Sequence, residues 1–395
     1  MYVVSIKSGS TNCCTGMFNT EDMDRSYILL RRCFISTQEK RKKRVKMGAI
    51  LFRHWQQQQE PAWFVSLAVL GALHVAAVAF RVLFHLLLLL RRPTDLCRRY
   101  GAWAVVTGPT SGMGRSVALD LARRGLNLVL VGRDPAKLHD ISHTISCAYA
   151  VQTKTVVVDL ALIATPRGDE ALRLLGDAVA GLDVGVLVNN AGLAKPCAVY
   201  LHEADVEAWV RMIRVNLWAL TEVTAAVLPG MVERGRGAIV NIGSGTTLAI
   251  PSFPLLSIYA ASKRYVAQLS RSLHVEYRGK GIDVQCQAPL FVETNMTLGV
   301  AASRKRRSLL SRLIMPTSDE YARAAVCWIG HGTLCMPNLG HRLQWCICHV
   351  MPDWVLDELC LRVNLWQRVR FQRLRTTRAS RPNVVNDGCV TGKQV

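Results

Sequence analysis

The first long apolar run of the chain extends from Ala62 to Phe80 and is interrupted only by Ser66 and His74. Apolar residues continue after Arg81 to Leu90, interrupted only by His85. A helix needs about 20 apolar residues to cross the hydrocarbon core of a bilayer. The run therefore predicts a membrane-anchoring helix, with Arg81 extending its charge toward the interface. A buried helix of a soluble domain is the alternative.

Downstream of this run, the apolar segments are short and alternate with segments of helical pattern. Strands are predicted at residues 102–107, 126–131, 155–158, 184–188, 238–243 and 282–287. Regular alternation of strands and helices is typical of parallel sheets with helices on both faces. The chain is thus predicted to be an α/β protein with a doubly wound parallel sheet, a Rossmann fold, preceded by the anchor helix.

A glycine-rich turn joins the first predicted strand to a helix predicted at residues 115–124. The turn contains Gly108, Ser111, Gly112, Met113 and Gly114. Glycines allow the backbone to approach a diphosphate, and the unpaired N–H groups at a helix N-terminus can bind it. Because the turn lies between a strand and a helix and a second strand follows, it predicts a dinucleotide site.

Arg133 follows the second predicted strand, at the position where an NAD-preferring site places an acidic residue. A guanidinium can pair bidentately with the 2′-phosphate of NADPH. Arg115 adds a positive charge just after the glycine turn, whereas Asp134 beside Arg133 weakens the inference. We therefore predict NADPH as the cofactor, with an ordinary surface arginine as the alternative for Arg133.

Ser244, Tyr259 and Lys263 form the candidate reaction site. Tyr259 and Lys263 are four residues apart, which places them on one face of a helix. A nearby ammonium is expected to lower the pKa of a phenol toward neutrality. Ser244 follows the fifth predicted strand, where ligands bind in open α/β sheets. Alone, such a pair is also compatible with an exposed helix face and a capping serine.

Together these features resemble the short-chain dehydrogenase/reductase family over roughly residues 101–295. The resemblance rests on the glycine turn after Thr107, on Asp159, on the run 189–192, on Asn216, and on Ser244 with the Tyr259–Lys263 pair. It implies that Tyr259 is the general acid, that Ser244 binds and orients the substrate carbonyl, and that Lys263 lowers the pKa of Tyr259 and binds the nicotinamide ribose.

The same resemblance implies roles for three further residues. Asn216 is expected to hold a water molecule in a proton relay. Asp159 is expected to contact the adenine, and Asn190 to lie along the cofactor.

Within this family the chain is most similar to membrane-bound very-long-chain 3-oxoacyl-CoA reductases, especially the plant type. The similarity is carried by residues 96–103, 181–185, 274–277 and 281–287. It implies reduction of 3-oxoacyl-CoA by NADPH in fatty-acid elongation. It also implies an endoplasmic reticulum membrane location, a catalytic domain facing the cytosol, and other elongase subunits as partners. A steroid or retinoid dehydrogenase and a non-catalytic elongase scaffold remain open, because the fold does not select the substrate.

The net charge of the chain limits the classes of partner that are expected to bind it. A formal net charge of +21 favours an anionic membrane surface or an acidic small molecule as a partner. The aromatic fraction of 7% and the absence of nucleic-acid-binding motifs argue against nucleic acid. The 13 cysteines are odd in number and dispersed, which indicates free thiols in a reducing compartment. Cys346, Cys348 and His349 lack a second ligand pair, so we expect no metal site.

The pattern predicts four regions: a poorly ordered tail at 1–61, the anchor at 62–92, the reductase domain at 93–320, and a membrane-associated extension with a basic tail at 321–395. Within the extension, residues 324–360 are apolar and interrupted by Gly and Pro, which favours an interfacial or re-entrant segment. Met47 is a candidate start of translation. The basic run 304–307 is compatible with the phosphates of coenzyme A, with anionic lipid headgroups, or with a solvated loop.

Overall fold

The computed structural model describes residues 20–57, 61–90, 94–196, 198–294, 296–297 and 309–379. The chain divides into two compact units, Met1–Arg92 and Pro93–Val395. The basic run 304–307 and the C-terminal residues 380–395 lie outside the described residues.

The first unit consists of two helices, α1 (Thr20–Gln57) and α2 (Ala62–Leu90). Helix α1 differs from the poorly ordered tail expected for residues 1–61. The segment contains no proline and is rich in Arg, Lys, Glu, Gln and Leu, which have high helix propensity. Local helix propensity therefore favours the helix, and its residues from 34 to 55 are exposed to solvent.

Helix α2 contains the predicted anchor. Its stretch Ala62–Phe80 is long and apolar enough to cross a membrane and is exposed throughout. The other described segment of this kind, Val206–Glu233, is partly buried in the second unit, where its apolar residues serve the protein core. Only the first segment is consistent with an anchor, and membrane anchoring itself stays a prediction.

The second unit is built on a parallel sheet of seven strands within the described residues. The strand order is β3-β2-β1-β4-β5-β6-β7. The bounds are β1 Trp103–Thr107, β2 Asn127–Gly132, β3 Thr153–Val157, β4 Val184–Asn189, β5 Gly237–Ile242, β6 Ile282–Gln287 and β7 Leu334–Cys335. The predicted Rossmann-type fold is confirmed. The sequence pattern missed β7 because two residues are too few to show a strand period.

The helices of the second unit alternate with these strands. Their bounds are α3 Leu96–Tyr100, α4 Gly112–Arg123, α5 Pro135–Ala148, α6 Pro166–Val179, α7 Val206–Ile213, α8 Ala219–Glu233, α9 Thr246–Ala249, α10 Ser257–Tyr277, α11 Leu309–Ile314, α12 Ser318–Cys327, α13 Leu339–Val350 and α14 Asp353–Ala379. A π-helical turn, Arg214–Trp218, joins α7 to α8.

Two hydrophobic cores lie on the two faces of the sheet. One contains Val106 together with Leu121 of α4 and Val326 of α12. The other contains Val105 together with Val223 of α8. Adjacent residues of β1 thus point to opposite faces, as expected for a strand with helices on both sides.

The predicted boundary at residue 320 falls inside α12. Tyr321, Ala322 and Val326 are all buried, and α12 packs against α4. Strand β7 then pairs with β6. Most of the apolar residues from 321 to 335 therefore belong to the domain core, whereas Leu334 is exposed. A core helix and an interfacial segment can have the same composition. Regular elements replace the irregular segment that was expected at 324–360.

Candidate active site

The candidate site lies where the chain reverses its order across the sheet. Strand β1 is followed by β2 and β3 on one side, whereas β4 to β7 extend on the other. The carboxyl ends of β1 and β4 are therefore adjacent, and the loops that leave them diverge. Open α/β sheets bind their ligands in such a crevice.

The glycine turn after β1 has a backbone that only glycine fits. Gly108 and Gly112 have φ angles of +65° and +55°. A Cβ on Gly114 would lie 2.1 Å from the Gly108 carbonyl oxygen and 2.3 Å from Asn190 Nδ2. Ser111 precedes α4, and its side chain makes no capping hydrogen bond within the described part of the chain. The turn thus presents close backbone and the N-terminus of α4, which fits a dinucleotide diphosphate.

Asn190 fastens the end of β4 to this turn. Its Nδ2 donates to the carbonyl oxygens of Thr107 and Gly108 at 3.0 and 3.2 Å, and its backbone N–H donates to Thr107 Oγ1 at 3.0 Å. Met113 packs against the small core around Val292. The side chain of Asn190 therefore shapes the turn, and its expected position along the cofactor stays a prediction.

Arg133 and Asp159 follow the next two strands of the same edge. Arg133 is exposed after β2. Asp134 is directed to its own helix, because its side chain accepts from Lys137 N at 3.1 Å and pairs with Lys137 Nζ at 2.6 Å. Because Asp134 is paired with Lys137, it does not neutralise the charge of Arg133 at the end of β2. Asp159 is half-buried after β3 and accepts a hydrogen bond from Ala161 N at 3.0 Å.

Ser244 and Tyr259 meet at the end of β5. The Ser244 hydroxyl is hydrogen-bonded to the Tyr259 phenol and lies 2.6 Å from Thr246 Oγ1. Desolvation by the surrounding protein raises the pKa of Tyr259 above its ordinary value, and the hydrogen bond from Ser244 lowers it to a smaller extent. The net direction is opposite to the lowered pKa expected from the sequence, because desolvation outweighs the stabilisation of the phenolate.

Lys263 follows Tyr259 by about one turn of α10. Its Nζ is buried and donates to the Ile242 carbonyl oxygen at 2.8 Å. Burial lowers the pKa of Lys263 to about 8, with a smaller opposing effect of Cys286. Burial likewise raises the pKa of the Cys286 thiol to about 12. The ammonium is bound to the end of β5, so the helical spacing alone overstated its effect on Tyr259.

Asn216 lies in the π-helical turn between α7 and α8. Its Nδ2 donates to the Leu193 carbonyl oxygen at 2.9 Å and to Ser262 Oγ at 3.0 Å, and its Oδ1 accepts from Leu193 N at 2.8 Å. The side chain thus joins the segment after β4 to the residue before Lys263. π-Helical turns are frequent at functional sites. The water-binding role of Asn216 stays a prediction.

The structure therefore brings the glycine turn and Asn190 together on the switch point, and Ser244 together with Tyr259 at the end of the neighbouring strand. Gly192, two residues after Asn190, lies close to the side chains of Lys263 and Asn216. A Cβ on Gly192 would lie 3.4 Å from Lys263 Nζ and 3.6 Å from Asn216 Oδ1.

His341 of α13 is a positioning residue that the sequence did not reveal. It is fully buried, its Nδ1 accepts from Leu290 N at 3.3 Å, and its Nε2 donates to the Phe291 carbonyl oxygen at 3.2 Å. Burial lowers its pKa to about 4, which keeps the ring neutral. These two bonds hold the loop after β6. The same loop lies beside Ser244, because Gly245 N donates to Pro289 O at 2.7 Å. A lone histidine without a motif provides no signal in the sequence.

Helix α14 holds the loops on either side of the site. Asn364 Nδ2 donates to the Pro254 carbonyl oxygen at 2.8 Å, in the segment between Ser244 and Tyr259. Arg368 pairs with Glu203 in the segment that follows β4, with Nη2 and Oε1 2.7 Å apart. The C-terminal helix is therefore part of the structure around the site.

Several curated relatives resemble this chain over most of their length. A protein of Arabidopsis thaliana named very-long-chain 3-oxoacyl-CoA reductase-like is 43% identical over 272 residues, which cover 69% of this chain and 84% of that protein. The very-long-chain 3-oxoacyl-CoA reductase of Macaca fascicularis is 35% identical over 76% of this chain and 93% of its own. A human protein named inactive hydroxysteroid dehydrogenase-like protein 1 is also 35% identical, over 73% of this chain and 87% of its own.

Solved structures share the fold. A short-chain dehydrogenase from Sphingobium yanoikuyae in complex with NADPH is 31% identical, with a TM-score of 0.53, over 62% of this chain and 92% of its own. The L-sorbose reductase of Gluconobacter frateurii, complexed with NADPH and L-sorbose, is 25% identical, with a TM-score of 0.51, over 61% of this chain and 97% of its own.

We expect Gly114→Ala to abolish binding of a dinucleotide, because the added methyl group meets the Gly108 carbonyl oxygen and the Asn190 amide. Gly176→Ala in α6 is the matched control, since a Cβ there meets nothing within 4 Å. Titration of each variant with NADPH, followed by fluorescence, measures the binding. Equal affinity of the two variants would contradict the role assigned to this turn.

The family model for short chain dehydrogenase matches residues 102–305. This range begins just before β1 and includes the glycine turn, Asn216, Ser244, Tyr259 and Lys263. The match covers more than half of the chain, and relatives above 30% identity cover more than two thirds of it. The chain belongs to the short-chain dehydrogenase/reductase family and is an oxidoreductase.

Proposed function

We propose that this protein reduces very-long-chain 3-oxoacyl-CoA to 3-hydroxyacyl-CoA with NADPH, as a step of fatty-acid elongation. The observation that carries the proposal is the hydrogen-bonded pair of Ser244 and Tyr259 beside the buried Lys263, at the sheet edge that holds the glycine turn. Relatives with this activity in their names, including the Arabidopsis protein, support the choice of substrate.

The cofactor is assigned to the glycine turn. The turn is so closely packed that a methyl group added at Gly114 would collide with its backbone. When bound, NADPH supplies the hydride for the ketone carbon. The residues of this chain supply the proton and the electrostatic stabilisation. Ser244 donates a hydrogen bond to the ketone oxygen, and Tyr259 donates its proton to the same oxygen as negative charge develops there. The raised pKa of Tyr259 suits this direction of reaction, because the phenol holds its proton at neutral pH.

The preference for NADPH over NADH is assigned to Arg133. Asp134, the neighbouring acid, caps α5 and pairs with Lys137, so it does not neutralise the arginine. An exposed guanidinium after β2 is suited to bidentate pairing with the 2′-phosphate. Asp159 after β3 is assigned to the adenine.

We further assign the protein to the endoplasmic reticulum membrane, with the second unit facing the cytosol. The support is the apolar helix α2 and the names of the relatives. Other subunits of the elongation system are the expected partners, together with the acyl-CoA substrate.

A steroid dehydrogenase is the second candidate, because a relative from Gallus gallus named hydroxysteroid dehydrogenase-like protein 1 is 33% identical over 73% of this chain. A non-catalytic scaffold is the third, because the human protein named inactive hydroxysteroid dehydrogenase-like protein 1 and the human very-long-chain 3-oxoacyl-CoA reductase are 35% and 34% identical to this chain. Overall identity therefore does not separate these functions. The hydrogen bond between Ser244 and Tyr259, with Lys263 buried on the same helix as Tyr259 and bound to the end of β5, favours a catalyst.

An assay of the purified full chain in lipid nanodiscs tests the proposal. NADPH oxidation is measured with a very-long-chain 3-oxoacyl-CoA, with a steroid ketone, and with a retinal. We expect turnover with the acyl-CoA substrate and a kcat/KM at least tenfold lower with the other two. Faster reduction of the steroid or retinal would overturn the substrate assignment. Binding of NADPH without turnover of any substrate would favour the scaffold.

We expect Tyr259→Phe to lower kcat by about 10²–10⁴ while NADPH binding is retained, because the variant lacks the proton donor. Tyr265→Phe is the matched control on the same helix, since the Tyr265 hydroxyl bonds Thr221 at 2.9 Å, away from Ser244. Steady-state kinetics and NADPH titration of both variants give the two quantities. A Tyr259→Phe enzyme with nearly normal turnover would refute the assignment of the general acid.

We expect kcat/KM for NADPH to fall as the pH rises through about 8, the pKa that burial gives Lys263. The ammonium supplies hydrogen-bond donors for the nicotinamide ribose, the role that the resemblance implies for Lys263, and kcat/KM reports the ionisation of the free enzyme. In Lys263→Arg the decline should move to higher pH, because a guanidinium stays protonated there. A pH–rate profile measures both enzymes, and the same alkaline decline in both would exclude Lys263 as its source.

We expect Arg133→Leu to reduce the preference for NADPH over NADH by about 10- to 100-fold, the range for loss of a hydrogen bond to a charged group. The ratio of kcat/KM values with the two cofactors measures the effect. Arg167→Leu, at an exposed arginine at the start of α6, is the control and should leave the ratio unchanged. An unchanged ratio in Arg133→Leu would assign cofactor choice to another residue.

A further inference from the structure

A further hydroxyl group lies beside that of Ser244. Thr246, the first residue of α9, has its Oγ1 2.6 Å from Ser244 Oγ. Both residues are buried, with 6% and 5% of their surfaces exposed. The Ser244 hydroxyl is also hydrogen-bonded to the Tyr259 phenol. The three hydroxyl groups are therefore linked, and Ser244 is bonded to both of the others.

The turn that carries Ser244 and Thr246 is held at its middle residue, Gly245. The Gly245 N–H donates to the Pro289 carbonyl oxygen at 2.7 Å, in the loop after β6. The Gly245 carbonyl oxygen accepts a hydrogen bond from Ala249 N at 2.8 Å, at the end of α9. The backbone between the two hydroxyl groups is thus bound on both sides, so the fold sets the distance between them.

A threonine is well suited to hold a neighbouring hydroxyl group. Its β-branched side chain has few favourable χ1 rotamers, so its hydroxyl loses little freedom when it forms a hydrogen bond. Within the described part of the chain, Thr246 Oγ1 bonds Ser244 and makes no hydrogen bond to the Tyr259 phenol. Thr246 is therefore connected to Tyr259 through Ser244.

The direction of the hydrogen bond between Thr246 and Ser244 follows from the reaction. A hydroxyl group has one hydrogen and two lone pairs. In the reaction described above, Ser244 uses its hydrogen to bond the ketone oxygen of the substrate. Its oxygen can then keep the bond to Thr246 only as the acceptor, with the Thr246 hydroxyl as the donor. The opposite direction would turn the Ser244 hydrogen away from the ketone.

We propose that Thr246 is a positioning residue for ketone reduction, which donates its hydroxyl hydrogen to Ser244 Oγ and so directs the Ser244 hydrogen toward the ketone oxygen. This role rests on the proposed function, because Ser244 meets a ketone oxygen only in that reaction. Donation to Ser244 Oγ also polarises the Ser244 O–H bond, which strengthens the hydrogen bond that Ser244 donates. The benefit is largest as negative charge develops on the ketone oxygen, so it is expected in kcat more than in KM.

Steady-state kinetics of the purified full chain in lipid nanodiscs test this role. Thr246→Val removes the hydroxyl and keeps the branched shape, whereas Thr246→Ser keeps the hydroxyl. With a very-long-chain 3-oxoacyl-CoA, we expect kcat to fall about 3- to 10-fold in Thr246→Val, the range for loss of one hydrogen bond, and less than about threefold in Thr246→Ser. The NADPH affinity and the substrate KM should stay close to those of the wild type, which also shows that the variants are folded.

Thr221→Val is the matched control. It removes a hydroxyl that bonds Tyr265 at 2.9 Å, between α8 and α10 and away from Ser244. We expect its kcat to equal that of the wild type. Losses of equal size in Thr221→Val and Thr246→Val would contradict the role of Thr246, and so would a normal kcat in Thr246→Val.

A double-mutant cycle separates positioning from packing and from direct contact with the substrate. Ser244→Ala lacks the hydroxyl that Thr246 directs. Adding Thr246→Val to Ser244→Ala should therefore change the single-turnover rate by less than about twofold. A further loss as large as the one that Thr246→Val causes in the wild type would overturn the proposal, because Thr246 would then act without Ser244.

The wild-type enzyme reports on the proposed function, and the variants report on Thr246. Faster reduction of a steroid ketone or of retinal would overturn the substrate assignment, and the same variants compared on that carbonyl compound would test Thr246. Reduction of none of these compounds by the wild type would overturn both the proposed function and the role of Thr246. Equal turnover by the wild type and Thr246→Val would overturn the role of Thr246 alone.

Discussion

The close contact between the β1–α4 turn and the end of β4 is the constraint on which the candidate site depends. Gly114 allows α4 to start against the Gly108 carbonyl, and the Asn190 amide bonds two carbonyl oxygens of the same turn. The contact joins β1 and β4, the two strands at which the order of strand addition along the sheet reverses. It therefore determines both where a dinucleotide can approach the backbone and where β5, with Ser244 after it, lies relative to that approach.

Burial determines the electrostatics of the reacting groups. The same desolvation that keeps the Tyr259 phenol protonated lowers the pKa of Lys263 to about 8, so both groups are biased toward their neutral forms. The Lys263 ammonium is compensated by a carbonyl at the end of β5 rather than by an acidic residue. Donors that the fold holds in this way are in position before negative charge develops on a substrate oxygen, so they need little reorganisation during the reaction.

Parts of the C-terminal region pack into the domain, whereas other parts are exposed to solvent, although its composition is similar throughout. Helix α12 and β7 complete the sheet and its core, and His341 and Asn364 hold loops around the site. The outer face of α13 has no such partner within the described residues and is apolar. One segment therefore supports the site on its inner side and exposes apolar side chains on its outer side.

Periodicity and motif spacing in the sequence determined the alternation of strands and helices, the glycine turn, and the identities of Ser244, Tyr259 and Lys263, because these depend on local geometry and on residue chemistry. The lowered pKa expected for Tyr259 was wrong because desolvation depends on the whole surrounding structure. His341, β7 and the side of α13 that faces solvent were equally beyond local patterns. They are set by contacts between residues distant in the chain, and an apolar residue has the same identity whether it faces a core or a membrane.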